Sequence, residues 1–374
     1  MFAGTTLLRL LVAMATPRGS LPRRHSTLFW PAIAGGWLFL LLPPANAQTF
    51  RGTISDPTIQ DVYHLTFSRD QSILAAQVET KDPRAHFQVR LYDTGTRKEI
   101  GRIQLPNGKP GDLFEFSPDG KTLYTCTYLP PWFKGIQVHF WDVKTCKERH
   151  SIKFASRRGT WGHATPDGKT LVLLGAGQAS LHDTVSGKEL CSFEIPKDRF
   201  KYPSTFFMPI TLSPDGQKLA LATMDSEVLV YDLAAGKCLL TLKVDKRPVG
   251  YFVDGVAFSR DGKQVVCLGL GRNLVIFDAA TGKELSRRVL RGAPSSDQRI
   301  PALSADGKSL VVRKQRGAGF GLLDLATGKL QMVGVALAEP YMSLRLAVSR
   351  DGNLVAVANK DIRLWSLKAK DEEP

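Results

Sequence analysis

Short apolar runs alternate with polar turns over most of the chain, and the turns recur at a nearly constant distance. Each of seven turns begins with Ser or Thr and carries an aspartate two residues later. These aspartates are Asp70, Asp119, Asp167, Asp215, Asp261, Asp306 and Asp351. Their successive separations are 49, 48, 48, 46, 45 and 45 residues. A fixed period of about 20 to 50 residues is typical of stacked structural repeats rather than of a single-core enzyme domain.

The pattern within one repeat predicts four short β-strands. Apolar runs lie on both sides of each Ser/Thr-led turn, as residues 113–116 and 123–126 do, and this arrangement favours a β-hairpin. A third apolar run ends in an aspartate, as at Trp141-Asp142, and a turn such as Thr-Gly-Lys then precedes a fourth run such as 284–290. Because this aspartate recurs in six repeats, we expect it to accept backbone N–H bonds in the following turn.

The repeats also predict how the strands pack. A four-stranded antiparallel sheet cannot bury both of its faces alone, so the sheets are expected to pack radially against one another. Seven repeats therefore predict an all-β fold, a seven-bladed β-propeller of four-stranded antiparallel blades. The last repeat stops at residues 365–367 without a fourth strand, while an extended segment, 48–54, precedes the first turn. We expect this N-terminal strand to complete blade seven and to close the ring.

The repeats in residues 48–368 resemble the WD40-like β-propeller family. The resemblance rests on Trp141-Asp142 at a third-strand end and on Ser-Pro-Asp-Gly-Lys turns, which are similar to those of the divergent bacterial branch. The chain departs from full WD40 repeats because no Gly-His pair precedes the units. The resemblance implies a propeller that acts as a binding platform, although a fold alone does not determine chemistry.

The first 47 residues differ in character from the repeats. They contain four arginines and no acidic residue, followed by an apolar run of about fifteen residues at 28–42, whereas a membrane span needs roughly 20. The small residues Ala45 and Ala47 fit signal-peptidase cleavage before Gln48. We therefore predict a signal peptide at 1–47, the propeller at 48–368 and a short charged tail at 369–374.

Cleavage after Ala47 would place the mature chain in the periplasm or outside the cell. An uncleaved anchor is the alternative to a cleaved signal. Export by the general or the twin-arginine route stays open because Arg23-Arg24 precedes the apolar run, and translation could start at Met1 or Met14. Cleavage would remove four arginines and no acid, so the net charge would change from +15 to +11.

The five cysteines are odd in number and follow no paired spacing. They are Cys126, Cys146, Cys191, Cys238 and Cys267. The predicted strands of Cys126 and Cys267, and those of Cys191 and Cys238, lie too far apart for the Cα separation of at most about 7 Å that a disulfide requires. We expect free, mostly buried thiols, although an exported protein could form disulfides.

Patterns typical of catalysis are absent from the sequence. It contains no His-Glu-x-x-His, Gly-x-Ser-x-Gly or Cys-x-x-Cys motif, so no catalytic residue, metal or cofactor is predicted. Four polar residues fall on predicted first strands, which line a propeller's channel: His64, Glu115, His163 and Arg345. They could hold a metal or an anion, but we favour the alternative that they line a wet channel. His139 and His182 are expected to be hydrogen-bonded structural residues.

The connections on one face of the predicted ring are long, aromatic and basic. In a propeller, the fourth-to-first and second-to-third connections share a face, and irregular loops on a rigid scaffold often carry binding. The candidate binding residues are Trp132, Phe133, Arg157, Arg158, Trp161, Lys197, Arg199, Lys246, Arg247, Arg313 and Arg316. The opposite face carries short, uniform turns in which Asp and Lys roughly balance.

These features predict a noncatalytic scaffold that binds a protein or another ligand outside the cytoplasm. The basic loops favour an acidic partner such as an acidic protein, a polysaccharide or an envelope surface, and the compartment argues against nucleic acid. We expect a monomer. The alternatives are that the basic residues only increase solubility, that the chain is a propeller enzyme such as a lactonase-like hydrolase with its site at the channel mouth, or that it belongs to a larger envelope assembly.

Overall fold

The structure is a computed structural model, and it describes most of the predicted repeat region. The described residues are 49–106, 109–129, 135–154, 161–175, 177–195, 209–223, 225–245, 253–269, 273–289, 302–303, 309–313, 320–327, 329–334, 345–349, 352–358 and 361–367. The predicted signal peptide, 1–47, and the tail, 369–374, lie outside these residues. Both therefore stay predictions.

The described residues form seven four-stranded sheets, called blades 1 to 7 here. Blade 1 contains β2 (Ile59–Phe67), β3 (Ile73–Thr80), β4 (Phe87–Asp93) and β5 (Glu99–Gln104). Blade 2 contains β6 (Pro110–Phe116), β7 (Thr122–Tyr128), β8 (Ile136–Asp142) and β9 (Glu148–Phe154). Blade 3 contains β10 (Trp161–Ala164), β11 (Thr170–Gly175), β12 (Gln178–Asp183) and β13 (Glu189–Glu194). Blade 4 contains β14 (Ile210–Leu212), β15 (Lys218–Ala222), β16 (Glu227–Asp232) and β17 (Lys237–Lys243).

The remaining blades repeat the same order of strands. Blade 5 contains β18 (Val253–Phe258), β19 (Gln264–Gly269), β20 (Asn273–Asp278) and β21 (Glu284–Val289). Blade 6 contains β22 (Ala302–Leu303), β23 (Ser309–Arg313), β24 (Phe320–Asp324) and β25 (Leu330–Gly334). Blade 7 contains β26 (Arg345–Val348), β27 (Leu354–Ala358), β28 (Ile362–Ser366) and β1 (Thr49–Ile54). A short 3-10 helix, Pro83–Ala85, lies between β3 and β4. The predicted all-β propeller architecture of four-stranded antiparallel blades is confirmed.

The apolar core is divided among the contacts between successive blades. The cluster that joins blades 1 and 2 contains Leu91 and Phe116, and the cluster that joins blades 2 and 3 contains Phe140 and Leu171. Five further clusters join blade 3 to 4, 4 to 5, 5 to 6, 6 to 7 and 7 to 1. Each apolar blade face is thus covered by a neighbouring blade, as the repeat pattern requires.

The N-terminal strand completes the last blade, as predicted. In β1, Phe50 lies opposite Trp365 and Ile54 lies opposite Ile362 of β28. The Phe50 and Trp365 rings have centroids 4.9 Å apart. Blade 7 is therefore built from both ends of the repeat region.

A buried arginine fixes the short connection between β1 and β2. The Arg90 side chain is only 2% exposed, and its Nη1 donates to Asp56 Oδ2 and Glu99 Oε2, both at 2.9 Å. Its Nη2 donates to Thr58 Oγ1 at 3.1 Å. Burial opposes ionisation of Asp56, but hydrogen bonds from Thr58 and the charge of Arg90 hold the pKa of Asp56 below its usual value. The connection from blade 7 to blade 1 is thus tied to blade 1.

The Ser/Thr-led turns are held by the residues that define the repeat. In blade 2, Ser117 Oγ donates to Asp119 Oδ1 at 2.6 Å and accepts from the Thr122 backbone N–H at 2.9 Å. Gly120 has a φ of +69°, a left-handed conformation that glycine adopts without a Cβ clash. The Ser117 hydroxyl also lowers the pKa of Asp119. The turn signature is therefore structural.

The third-strand aspartates also have the predicted structural role. Asp142 Oδ1 accepts from the backbone N–H and the hydroxyl of Thr145, at 2.8 and 2.9 Å. Asp183 accepts from Ser186 in the same way, at 2.7 Å for both donors. The prediction that this recurring carboxylate stabilises the next turn is confirmed.

The glycines in both kinds of turn also permit close contact with the preceding blade. A Cβ on Gly168 would lie 3.2 Å from Pro118 Cδ, and a Cβ on Gly216 would lie 2.8 Å from Pro166 Cδ. In the second turn of blade 3, a Cβ on Gly187 would lie within 2.3 Å of Ile152 Cγ2 in blade 2. These turns therefore pack blade against blade in addition to reversing the chain.

The prediction of mostly buried thiols is wrong for two of the five cysteines. All five are free, with Cys126 and Cys267 buried and Cys146 partly buried, but Cys191 and Cys238 are exposed. The exposed pair lies on the fourth strands β13 and β17, which have a strand neighbour on one side only. Outer strands leave more side-chain surface in solvent than the inner strands do.

The contact at Gly187 predicts a difference between two alanine substitutions. Gly187→Ala and Gly120→Ala both place Cβ at a positive φ, of +70° and +69°, but only the former adds a clash with the preceding blade, because Gly120 has nothing within 4 Å. Strain at positive φ costs about 1 kcal/mol, and overpacking adds about 1 to 3 kcal/mol. Urea unfolding should therefore show the larger loss for Gly187→Ala. Equal losses for the two variants would contradict the role of Gly187 in blade packing.

Candidate functional site

The structure describes only part of the predicted basic and aromatic loop face. Trp132, Phe133, Arg157, Arg158, Lys197, Arg199, Lys246, Arg247 and Arg316 lie outside the described residues. The strands that flank these segments end on the side of the blades opposite the Ser/Thr-led turns. The grouping of the nine residues on one face stays a prediction.

Two of the predicted loop residues belong to strands instead. Trp161 is the first residue of β10 and lies opposite Leu174, and Arg313 is the last residue of β23 and lies opposite Phe320. Their assignment to loops was wrong because strand pairing extends one residue further than the apolar pattern does. Both still lie at the loop-side ends of their strands.

The first strands of successive blades lie beside one another from blade 7 through blade 5. Contacts join β26 to β2, β2 to β6, β6 to β10, β10 to β14 and β14 to β18. Arg345, His64, Glu115 and His163 lie on β26, β2, β6 and β10 respectively. The prediction that these four residues lie on inner strands is confirmed.

Glu115 and His163 form an ion pair across blades 2 and 3. His163 Nδ1 lies 2.6 Å from Glu115 Oε2, and the Ala164 backbone N–H donates to Glu115 Oε1 at 2.6 Å. Burial by itself would lower the pKa of His163, but the Glu115 carboxylate raises it above the ordinary histidine value. The pair therefore holds one inner strand against the next.

The other two inner-strand residues have separate partners. His64 Nδ1 lies 2.8 Å from Gln77 Oε1 in its own blade, and Arg345 Nε donates to the Val62 backbone oxygen at 3.2 Å. Arg345 thereby links blade 7 to blade 1. The structure thus brings Glu115 and His163 together but engages His64 and Arg345 elsewhere. Within the described residues, no group of three or more His, Cys, Asp or Glu side chains could hold a metal ion.

An acidic cluster at the loop-side end of blade 1 was not predicted from the sequence. Tyr63 Oη donates to Glu79 Oε2 at 2.8 Å, and His86 Nε2 lies 3.2 Å from Glu79 Oε1. Burial and the hydrogen bond to Glu79 raise the pKa of Tyr63 to about 12, and burial also raises the pKa of Asp61. Asp61 lies directly opposite Glu79 in the strand register. Only that register could have revealed the cluster, because the two acids are far apart in sequence.

The histidines on third strands are structural, as predicted. His139 Nε2 lies 3.0 Å from Thr127 Oγ1, and His182 Nε2 lies 2.9 Å from Ser180 Oγ. Next to His139, Trp141 Nε1 donates to Thr125 Oγ1 at 2.9 Å. The His139 bond joins the third strand of blade 2 to its second strand, and the His182 bond stays within one strand of blade 3. Both rings are buried and hydrogen-bonded.

Comparison with known proteins gives a family and a relative. The family described as "Outer membrane protein assembly factor BamB" matches residues 88–374, more than half of the chain. The WD repeat-containing protein VIP3 of Arabidopsis thaliana is 31% identical over 121 residues, which cover 30% of this chain and 37% of that protein. The chain therefore spans well under two thirds of this relative. Across the described ranges, no helix has the length and apolar character needed to cross a membrane.

The Glu115–His163 pair predicts how the histidine titrates. Glu115→Gln keeps an acceptor for Ala164 but removes the charge, so burial, which outweighs the hydrogen bond with the Ile210 backbone, should hold the pKa of His163 below the ordinary 6.5. The raised pKa in the native protein stabilises the fold fully below pH 6.5, and this stabilisation is lost as the pH rises through the folded pKa. NMR titration of the histidine ring protons measures the change.

His150 provides an internal control in the same spectra. Burial lowers its pKa, and Glu115 is not among the causes of that shift, so its titration should be the same in both proteins. A His163 pKa that stays above 6.5 in Glu115→Gln would contradict the pairing.

Proposed function

We propose, since the chain belongs to the family described as outer membrane protein assembly factor BamB, that it is a noncatalytic protein-interaction scaffold exported from the cytoplasm. The match over residues 88–374 is the observation that carries the proposal. The propeller architecture supports it, because a ring of packed blades offers a rigid frame with connections at both ends. The WD repeat relative supports a binding platform of the same general kind.

We propose further that the seven sheets form the seven blades of one closed ring. The apolar clusters that join each blade to the next, and blade 7 to blade 1, support this arrangement. A closed ring has no exposed blade face, so partners would bind at the loop side, the turn side or the outer strands. The WD40-like resemblance in residues 48–368 is consistent with this proposal and keeps the finer family assignment open.

The loop side is the proposed binding face because of its composition. Its connections supply Arg157, Arg158, Lys197, Arg199 and Arg247, with aromatic residues between them. Aromatic and arginine side chains contribute most strongly to interfaces, and clustered positive charge attracts acidic partners. We therefore propose that the partner is an acidic protein. An acidic polymer is the second candidate, because it carries the same negative charge.

The turn side differs in its balance of charge. Asp119 and Asp167 each accept a backbone N–H from the lysine two residues later, Lys121 and Lys169. Those lysine charges also contribute to lowering the pKa of the two aspartates. Because each lysine has an acid beside it, this side attracts polyanions less than the loop side does.

Export is proposed from the leader and from the family description. Residues 1–47 carry the predicted signal and cleavage site, and the family description refers to the outer membrane. We propose that the mature chain begins at Gln48 and acts in the periplasm or outside the cell. N-terminal sequencing of the protein isolated from its own cells would give the first residue.

Two variants with equal loss of charge test the binding face. In the loop variant, Ser replaces Arg157, Arg158, Lys197, Arg199, Lys246 and Arg247. In the turn variant, Ser replaces the exposed Lys121, Lys169, Lys188, Lys263, Lys283 and Lys329. The loop variant should elute from heparin at clearly lower salt and bind polyanions about tenfold more weakly or worse, while the turn variant should change little. Both must retain the native circular dichroism spectrum.

The comparison between the variants decides the proposal. Net charge falls equally in both, so a general effect of charge would shift their elution equally. Equal shifts, or a larger shift for the turn variant, would reject the loop side as the binding face.

A further inference from the structure

Blade 2 differs from the other blades in the residue types of one row that runs across its strands. The row joins directly opposed residues of the second, third and fourth strands, near the turn side, and in blade 2 it packs against blade 3. At its second-strand position, six blades have a small aliphatic residue: Ala75, Val172, Ala220, Val266, Val311 and Ala356. Blade 2 has Tyr124 there.

The departure continues along the row. At the third-strand position the other blades have Leu91, Leu181, Val230, Ile276, Leu322 and Leu364, where blade 2 has Phe140. At the fourth-strand position they have Gly101, Cys191, Leu240, Ser286, Gln331 and Gly52, where blade 2 has His150. Blade 2 alone therefore carries an aromatic row with two polar ends.

The three rings are packed against one another. Tyr124 and Phe140 meet edge to face with ring centroids 5.2 Å apart, and Phe140 stacks on His150 at 4.1 Å. Tyr124 is 2% exposed and Phe140 is 1% exposed. Such packing gives the row a fixed shape.

A cleft of about 270 Å³ lies over this row, between blades 2 and 3. Tyr124, Phe140 and His150 line it from the strands, and Asp119 and Asp167 line it from the Ser/Thr-led turns of the two blades. Val185, which is 83% exposed, lies at its edge in the second turn of blade 3. The cleft thus combines aromatic surface with polar groups from two blades.

One polar atom of the row, Nε2 of His150, is unsatisfied within the described part of the chain. His150 Nε2 is buried and has no hydrogen-bond partner among the described residues. An unsatisfied buried polar atom costs about 1 to 3 kcal/mol, whereas an aliphatic side chain at this position would cost nothing of the kind. Polar residues also stand at this position in blades 5 and 6, Ser286 and Gln331, but the buried unpaired atom of His150 points to a function for the cleft.

The charges around the cleft are compensated. Arg149 Nε donates to Asp142 Oδ2 at 3.2 Å, and this pairing lowers the pKa of Asp142 to about 2. Arg149 Nη1 also donates to Thr122 Oγ1 at 3.1 Å. Asp119 and Asp167 each stand beside a lysine of their own turn. Counted together with Asp142, Lys121 and Lys169, the charges of Asp119, Asp167 and Arg149 sum to zero.

We propose that this cleft binds a small, neutral, hydroxyl-rich molecule of the size of a monosaccharide unit. Carboxylates accept hydrogen bonds only and guanidinium groups donate only, so a hydroxyl, which does both, matches the mixed lining. Burial lowers the pKa of His150, so its ring is neutral at pH 7 and Nε2 donates or accepts according to the tautomer. The C–H face of a sugar ring matches the partly exposed His150 ring and the Val185 side chain, which is 83% exposed.

The test uses glucose, galactose, mannose and N-acetylglucosamine as probes of the full mature chain. Long-range proton–nitrogen NMR of the histidine rings reports whether Nε2 of His150 gains a hydrogen bond. We expect at least one sugar to shift this signal saturably, with a dissociation constant in about the millimolar range that small ligands with few contacts reach. The half-exposed His86 on blade 1 should not respond.

Two variants replace the unusual residues with those of other blades. Tyr124→Val introduces the residue found in blades 3, 5 and 6, and His150→Ser the residue found in blade 5. Each should fold, because the fold already uses these residues at the same place, and each should weaken sugar binding about tenfold or more. Saturation-transfer signals from the sugar protons measure binding in both variants. Ser286→Ala changes the same row in blade 5 and should leave binding unchanged.

Three results would overturn the proposal. The first is the absence of a saturable response with all four sugars. The second is binding that Tyr124→Val and His150→Ser do not weaken. The third is a His150 shift caused by acetate or methylammonium and not by any sugar, which would mean that the cleft selects a charged group instead.

Discussion

Every blade has two apolar faces and cannot bury both by itself, and the whole architecture follows from that constraint. Each face is covered by the next blade, so the core is a series of contacts between blades rather than one central mass. In such a series, the outward faces of the first and last blades stay exposed unless these two blades pack against each other. Here they meet because β1 pairs with β28 and because Ile54 and Ile59 pack with both blade 7 and blade 1.

The closing contact is reinforced by polar groups of blades 1 and 7. Arg90 is buried in blade 1 and binds Asp56 and Thr58 from the connection that leaves β1. Arg345 reaches from blade 7 to the Val62 backbone. Removal of one partner from a buried ion pair leaves an uncompensated charge, so the Arg90–Asp56 pair specifies one position for the connection that leaves β1. The ring can then present fixed connections at the loop side, where partners are proposed to bind.

The repeat pattern predicted the strands, the turns and the closing strand, because each depends on local chemistry that recurs every 45 to 49 residues. The repeat pattern did not predict features that depend on the pairing register of neighbouring strands. The pairing of third and fourth strands shifts by one residue between Phe140 and Trp141 and again between Leu181 and His182. Such a bulge changes which side chains face the next blade, and neither the exposure of Cys191 nor the place of His150 could be read from the sequence.

The same limit explains why the cleft and the acidic cluster were missed. Tyr124 and His150 belong to one row only once the strands are paired, and Asp61 and Glu79 are neighbours only across β2 and β3. A repeat protein is most informative where one copy differs from the rest, but the copies must first be aligned by register. Blade 2 shows this most clearly, because its aromatic row stands where every other blade is aliphatic or small at the inner position.

The free energy of unfolding of a chain that begins at Ser55, compared with one that begins at Gln48, tests ring closure most directly. Loss of β1 uncovers β28 and the contact between blades 7 and 1, so urea unfolding should show a loss of about 3 kcal/mol or more and faster amide exchange in β26 to β28 and β2. A synthetic peptide of residues 48–54 should restore part of that protection. Equal stability and equal exchange in the two chains would contradict the account.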